Sequence, residues 1–82
     1  MQGDGNLLFT IGGKEISLSK RAVENALRNV KPDPIGKYRV TVGKDDYPIK
    51  QALSLASGMP RAAFITTTAY KILNRLGFEV KV

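Results

Sequence analysis

The chain predicts an α+β domain, a largely antiparallel sheet with about three helices packed on it. Three observations carry this. Alternating apolar runs recur near the N-terminus, in the middle and at the C-terminal end. Three other stretches space their apolar residues as a helix does. Finally, "FTIGGKEISLSKRAVENAL" and "VTVGKDDYPIKQAL" both read strand, turn, strand, helix. That faint echo suggests two ββα halves followed by an extra helix and strand.

"MQGDGN" is polar and glycine-rich, so residues 1–6 are expected to form a flexible tail and residues 7–82 the single domain. In "LLFTIGGKEISL", Phe9 and Ile11 flank Thr10, while Ile16 and Leu18 flank Ser17. Gly12-Gly13 supplies the positive φ angles of a tight hairpin turn. Ser19 is suited to cap a helix running to about Asn29, whose apolar face is Val23, Ala26, Leu27 and Val30. Pro32 and Pro34 end it.

"KYRVTV" puts Tyr38, Val40 and Val42 on one face of a strand, and "GKDD" reads as a turn. Tyr47 begins a short return strand, and Pro48 fits the first turn of the next helix. Ile49, Ala52, Leu53 and Ala56 make that helix's stripe, and Gly58 caps its end. "MPRAAFI" is a linker with room for one helical turn. Thr66 is expected to cap the last helix, with Ala69, Ile72, Leu73 and Leu76 facing the core. Gly77 ends it in a left-handed cap with Phe78 folded back on Leu73, and "FEVKV" alternates as a terminal strand.

The totals narrow the function. A chain of 82 residues is one domain with one modest core, so a site should be a surface patch or shallow groove. With no Cys and no His, disulfides, Cys/His metal sites and Ser-His or Cys-His catalytic pairs are excluded. The N-terminus lacks a basic region followed by an apolar run, so no signal peptide is expected. No apolar stretch approaches the roughly 18 residues of a membrane span. The expected location is the cytoplasm. Thirteen basic against seven acidic residues give a net charge of +6, which favours an anionic partner.

Catalysis is not expected. Asp45-Asp46 are the only adjacent acids and read as turn residues bonding the local backbone. "IGGKE" lacks the spacing and final Ser/Thr of a phosphate loop. No cofactor or metal is implied. The pair of helices from Tyr47 to Phe78 is at best a loose relative of a helix-turn-helix, because Gly58 to Thr66 exceeds the usual short turn. Starting the second helix near Pro60 would run it through Thr66-Thr67-Thr68, whose β-branched side chains disfavour it.

The polar face of the last helix holds Thr67, Lys71, Asn74 and Arg75, the residue types that meet phosphates and base edges. Arg61 lies in the loop before it and Lys50 on the solvent side of the preceding helix. A solvated helix face uses the same residue types. Phe9, Tyr38, Phe64 and Phe78 are expected in the core, whereas Tyr70 lies off the apolar stripe as a partly exposed ring, expected to pack at the edge of the core, with stacking on a base as the alternative.

The pattern "KYRVTVGKDDYPIKQALSLASG...AAFITTTAYKILNRLGFEV" resembles a small module near the N-terminus of McrA-like, modification-dependent HNH restriction nucleases. The shared positions are the alternating strand, Tyr47-Pro48 with Lys50, Ala56, Gly58, Phe64 and Leu76-Gly77-Phe78. In those relatives the Phe is followed by a Ser-Gly-Gly-like helix start, whereas here it is followed by Ile65-Thr66-Thr67-Thr68. The HNH catalytic part is missing. The resemblance covers about half of the chain and implies a DNA-associated accessory module without nuclease activity.

The expectation is therefore a non-enzymatic, nucleic-acid-associated module whose partner is duplex DNA. Lys50, Arg61, Lys71 and Arg75 would contact phosphates, and Thr67 and Asn74 would lie near bases. The alternative is a module that binds a protein partner, or itself, through an exposed strand edge such as Val80–Val82 or the hairpin.

Overall fold

The computed structural model describes residues 6–82; all but one residue of the expected N-terminal tail lies outside the described residues, and Asn6 is exposed. The chain runs through β1 (Leu7–Ile11), β2 (Lys14–Leu18), α1 (Lys20–Ala26), β3 (Arg39–Val42), β4 (Asp45–Pro48) and α2 (Ile49–Ser57). A single 3-10 turn (Arg61–Ala63), α3 (Thr66–Arg75) and β5 (Val80–Lys81) complete it. The fold is α+β, and the two ββα units are present in order.

The first unit is built as its residues dictate. Gly12 and Gly13 adopt φ of 57° and 81°, the two positive angles of a type I′ turn. They set the register Leu7↔Leu18, Phe9↔Ile16, Ile11↔Lys14, which turns Phe9, Ile11 and Leu18 inward. The Ser19 Oγ accepts the Ala22 N–H at 3.0 Å and caps α1. This helix stops at Ala26, short of the expected Asn29. Tight bonds from Arg28 N–H to Asn25 O and Val30 N–H to Leu27 O replace the helical ladder, and Asn29 takes φ 64°. Asparagine tolerates that left-handed angle better than most residues, so the chain turns there.

In the second unit, β3 and β4 pair as Val40↔Tyr47 and Val42↔Asp45 around a two-residue turn, Gly43-Lys44. Asp45 and Asp46 were expected in the turn; they lie in β4 instead, which starts two residues before Tyr47. The shorter turn keeps Val42 and Tyr47 on the buried face. Asp46 works across the ladder: Thr41 Oγ1 donates to its Oδ1 at 2.6 Å, and Arg39 Nε lies 3.8 Å from its Oδ2. Pro48 ends β4 and stands at the cap of α2, one position before the expected first turn.

Helix α2 is the hub. It touches α1, α3, β2, β3, β4 and the 3-10 turn. Ile49, Ala52 and Leu53 are buried along it, and Gly58 closes it at φ 78°, its N–H donating to Ser54 O. Helix α3 begins with Ile65, not Thr66, as the capping residue: Ile65 is extended (φ −89°, ψ 156°) and offers no side-chain acceptor, while its carbonyl accepts from Ala69 N–H. At the other end the Phe78 N–H reaches Leu73 O and the Gly77 N–H reaches Asn74 O, with Gly77 at φ 99°. This is the Schellman arrangement expected of "LGF". It swings Phe78 into the core and feeds β5 onto β3, with Val40↔Val80 in register.

The strands form two sheets rather than one continuous sheet: β1–β2, and the order β4–β3–β5. Both are antiparallel. One core joins them, with Phe64, Leu18, Leu53, Leu73, Val23 and Val40 as its largest fully buried side chains.

Candidate nucleic-acid interface

The first turns of α2 and α3, together with the segment before β3, border a shallow groove. One part, about 340 Å³, is lined by Lys37, Tyr38, Pro48, Lys50, Arg61 and Thr66. The other, about 440 Å³, is lined by Tyr38, Thr66, Thr67, Tyr70, Lys71 and Val82. Tyr38 and Thr66 belong to both, so the two parts run together.

The wall before β3 is irregular chain, and one buried side chain fixes it. Gln51 of α2 accepts the Asp33 N–H on Oε1 at 2.9 Å and donates from Nε2 to Lys31 O at 3.2 Å. Both functions of its amide are thus satisfied inside the fold, as a buried polar group requires. Lys31 and Asp33 are thereby held against α2, at the start of the segment that leads to Lys37 and Tyr38 in the groove.

No acidic residue lines either part of the groove. Neither helix carries an acid in its first turn or a side-chain cap, so no side chain of its own first turn offsets the positive end of either dipole. Lys50 and Lys71 make no ion pair among the described residues. Arg61 does pair with Asp33, across two exposed side chains, which offsets part of its charge. Lys37 Nζ sits 5.5 Å from the Tyr38 ring centre, and Tyr38 meets Tyr70 edge to face at 6.0 Å. Taken together, the groove offers cations, hydroxyls and two rings.

A larger cleft of about 770 Å³ lies between the end of α1 and the β3–β4 turn, but Glu24 and Asp45 share it with Arg28, Lys31 and Lys44. Its mixed signs contrast with the groove. Tyr47 borders it with its hydroxyl already committed to Leu27 O (3.2 Å) and Val30 O (2.8 Å). Burial, and then the nearby Asp45 carboxylate, push its pKa above the ordinary tyrosine value of 10.0. Among the described residues no group of three or more His, Cys, Asp or Glu side chains could hold a metal, and no helix is long and apolar enough to cross a membrane.

A family model described as SCO5918-like matches residues 11–82. The chain belongs to the SCO5918-like family. The matched span includes every residue of the groove and leaves out only the segment before Ile11. No curated protein and no solved structure matches the chain.

Within this SCO5918-like domain, the six residues singled out from the sequence separate into three groups. Lys50, Arg61, Thr67 and Lys71 border the groove. Asn74 is exposed one turn beyond Lys71 on the same side of α3. Arg75 turns away: its guanidinium lies 5.6 Å from the ring of Phe9, against the N-terminal hairpin. Two groove residues escaped the sequence reading. Lys37 heads the alternating run "KYRVTV" just before β3, and Tyr38 is expected in the core with the other large rings that a short domain needs. Tyr38 is only half-buried, while Phe9, Phe64 and Phe78 are buried as expected. Tyr70 is 37% exposed. The one available signal was the adjacency of a lysine and an aromatic residue just ahead of a strand.

Proposed function

We propose that this chain is a small, non-enzymatic nucleic-acid-binding module, and that DNA is its partner. The observation that carries the reading is the gathering of Lys37, Lys50, Arg61 and Lys71 at the positive ends of two helices on one groove whose lining holds no acid, with Asp33 at its rim paired to Arg61. Phosphates are the anions that such a track meets in series. Thr67 borders the groove and Asn74 stands beyond Lys71 on α3, where hydroxyl and amide groups reach base edges. The resemblance to the N-terminal module of McrA-like nucleases supports the same class of partner, and its shared lysine, Lys50, borders the groove.

The experiment is fluorescence anisotropy with a labelled DNA duplex across a salt series. Wild-type protein should bind with an affinity that falls steeply as salt rises, because each neutralised phosphate releases counterions. The Lys50→Ala/Lys71→Ala variant should flatten that slope by about two units, one per lost contact. A slope unchanged in this variant overturns the groove assignment. Failure of duplex and single-stranded DNA alike to bind at low salt overturns the nucleic-acid reading and favours a protein partner on the outer edge of β5, where Val82 is 73% exposed.

A further inference from the structure

The aromatic pair gives the groove a chemistry that backbone binding does not need. Tyr38 and Tyr70 meet edge to face, with centres 6.0 Å apart and planes inclined at 81°, in the same cleft as Thr66, Thr67 and Lys71. Neither hydroxyl makes a hydrogen bond among the described residues, in contrast to Tyr47. Tyr70 is 37% exposed although it stands on a helix whose Ala69, Ile72 and Leu73 are buried. Packing therefore uses only part of its ring. Lys37 already covers a face of Tyr38, which leaves Tyr70 as the ring with surface to offer.

An undistorted duplex presents no base face to such a ring. Its bases are stacked on each other and expose only edges in the grooves, whereas a base presents its face only when unpaired. We infer that the groove is a single-strand site, in which Tyr70, braced by Tyr38, stacks on an unpaired base while Lys50, Arg61 and Lys71 hold the flanking phosphates. This rests on the nucleic-acid reading above and narrows it. Stacking is tolerant of sequence, because every base has a face, so the site discriminates strandedness more than sequence. Thr66 and Thr67, at the same cleft, supply hydroxyls to base edges or phosphates.

The composition provides the readout. The chain has three tyrosines and no tryptophan, and Tyr47 is buried with its hydroxyl engaged. Changes in intrinsic tyrosine emission on binding thus report Tyr38 and Tyr70. The experiment titrates the protein with a short oligothymidylate and, separately, with a duplex of equal length. Emission is corrected for absorbance, and Tyr70→Ala and Tyr70→Phe are measured alongside, with circular dichroism as the folding control.

The expected result is emission quenched by the single strand, tighter binding of the single strand than of the duplex, a loss of roughly 5- to 150-fold in Tyr70→Ala, and near-wild-type binding in Tyr70→Phe. Equal affinity for both forms, with unchanged emission and a Tyr70→Ala variant that binds like wild type, overturns the single-strand site. If duplex binding then keeps its salt dependence, the general reading survives. No binding of either form overturns both. Should Tyr70→Ala unfold, the emission change in the wild type and the affinity of Tyr70→Phe still decide.

Discussion

The Tyr47 hydroxyl on β4 donates to the backbone carbonyl of Val30 at 2.8 Å, fastening the second ββα unit to the end of the first. Leu27 O lies within reach of the same hydroxyl at 3.2 Å. These carbonyls belong to the turns that replace the last turn of α1; Leu27 O also accepts the Val30 N–H, whereas Val30 O relies on the hydroxyl. Removing the hydroxyl in Tyr47→Phe leaves them without this donor. The expected cost is about 1–3 kcal/mol, read as a lower midpoint in chemical or thermal denaturation.

The same contact has a pH signature. The folded pKa of Tyr47 is raised above its unfolded value of about 10. Folding therefore favours the protonated phenol. Its contribution is fully present below about pH 10 and is lost as pH rises through the higher folded value. Lysines also titrate in that range, so the informative quantity is the stability difference between wild type and Tyr47→Phe. That difference should shrink on the alkaline side and stay flat between neutrality and pH 9.

Gly77 carries the turn from α3 into β5. At φ 99° a side chain is strained, although a Cβ would meet nothing closer than Lys20 Cδ at 3.8 Å. The penalty of Gly77→Ala is therefore conformational rather than steric crowding, about 1–2 kcal/mol. In a domain of this size that lowers Tm by several degrees, roughly 4–8 °C for each kcal/mol. An unchanged Tm would mean that the chain leaves α3 by another route.

Asp33 holds Arg61 at the rim of the groove through side chains that are 45% and 51% exposed. Exposed pairs contribute less than about 1 kcal/mol, so Asp33→Asn should barely move the denaturation midpoint. It should strengthen nucleic-acid binding severalfold at low salt and steepen the salt slope by up to about one unit, because Arg61 is released to a phosphate. Weaker binding in Asp33→Asn would show that the pair positions Arg61 instead of restraining it.

Arg75 and Lys71 lie one turn apart on α3 but should behave differently. Lys71 faces the groove, so Lys71→Ala should reduce the salt slope by about one unit. Arg75 lies over Phe9, so Arg75→Ala should leave the slope unchanged and cost about 0.5–1 kcal/mol of stability. A slope that falls equally in both variants would extend the binding face along the whole of α3.

Local chemistry was readable residue by residue. Gly12-Gly13 named its turn, Ser19 its cap, Gly58 and Leu76-Gly77-Phe78 their helix ends, because each of these features depends on a few neighbouring dihedrals and hydrogen bonds. Two of the misplacements were also local and small: Asp45-Asp46 were assigned to a turn that Gly43-Lys44 closes alone, and Thr66 to a cap that Ile65 occupies. Both errors arose where two adjacent residues compete for one role and distant packing chooses between them.

The sequence by itself determined the order of elements, the doubled ββα pattern, the apolar faces and the excess of positive charge. Only the tertiary structure decided that β5 joins β3 while β1–β2 stands apart, that Gln51 pins the start of the irregular segment leading to Lys37 and Tyr38, and that Arg75 leaves the face it shares with Lys71 in sequence. Periodicity records which side of an element is buried. It does not record what lies opposite, and a groove is made of what lies opposite.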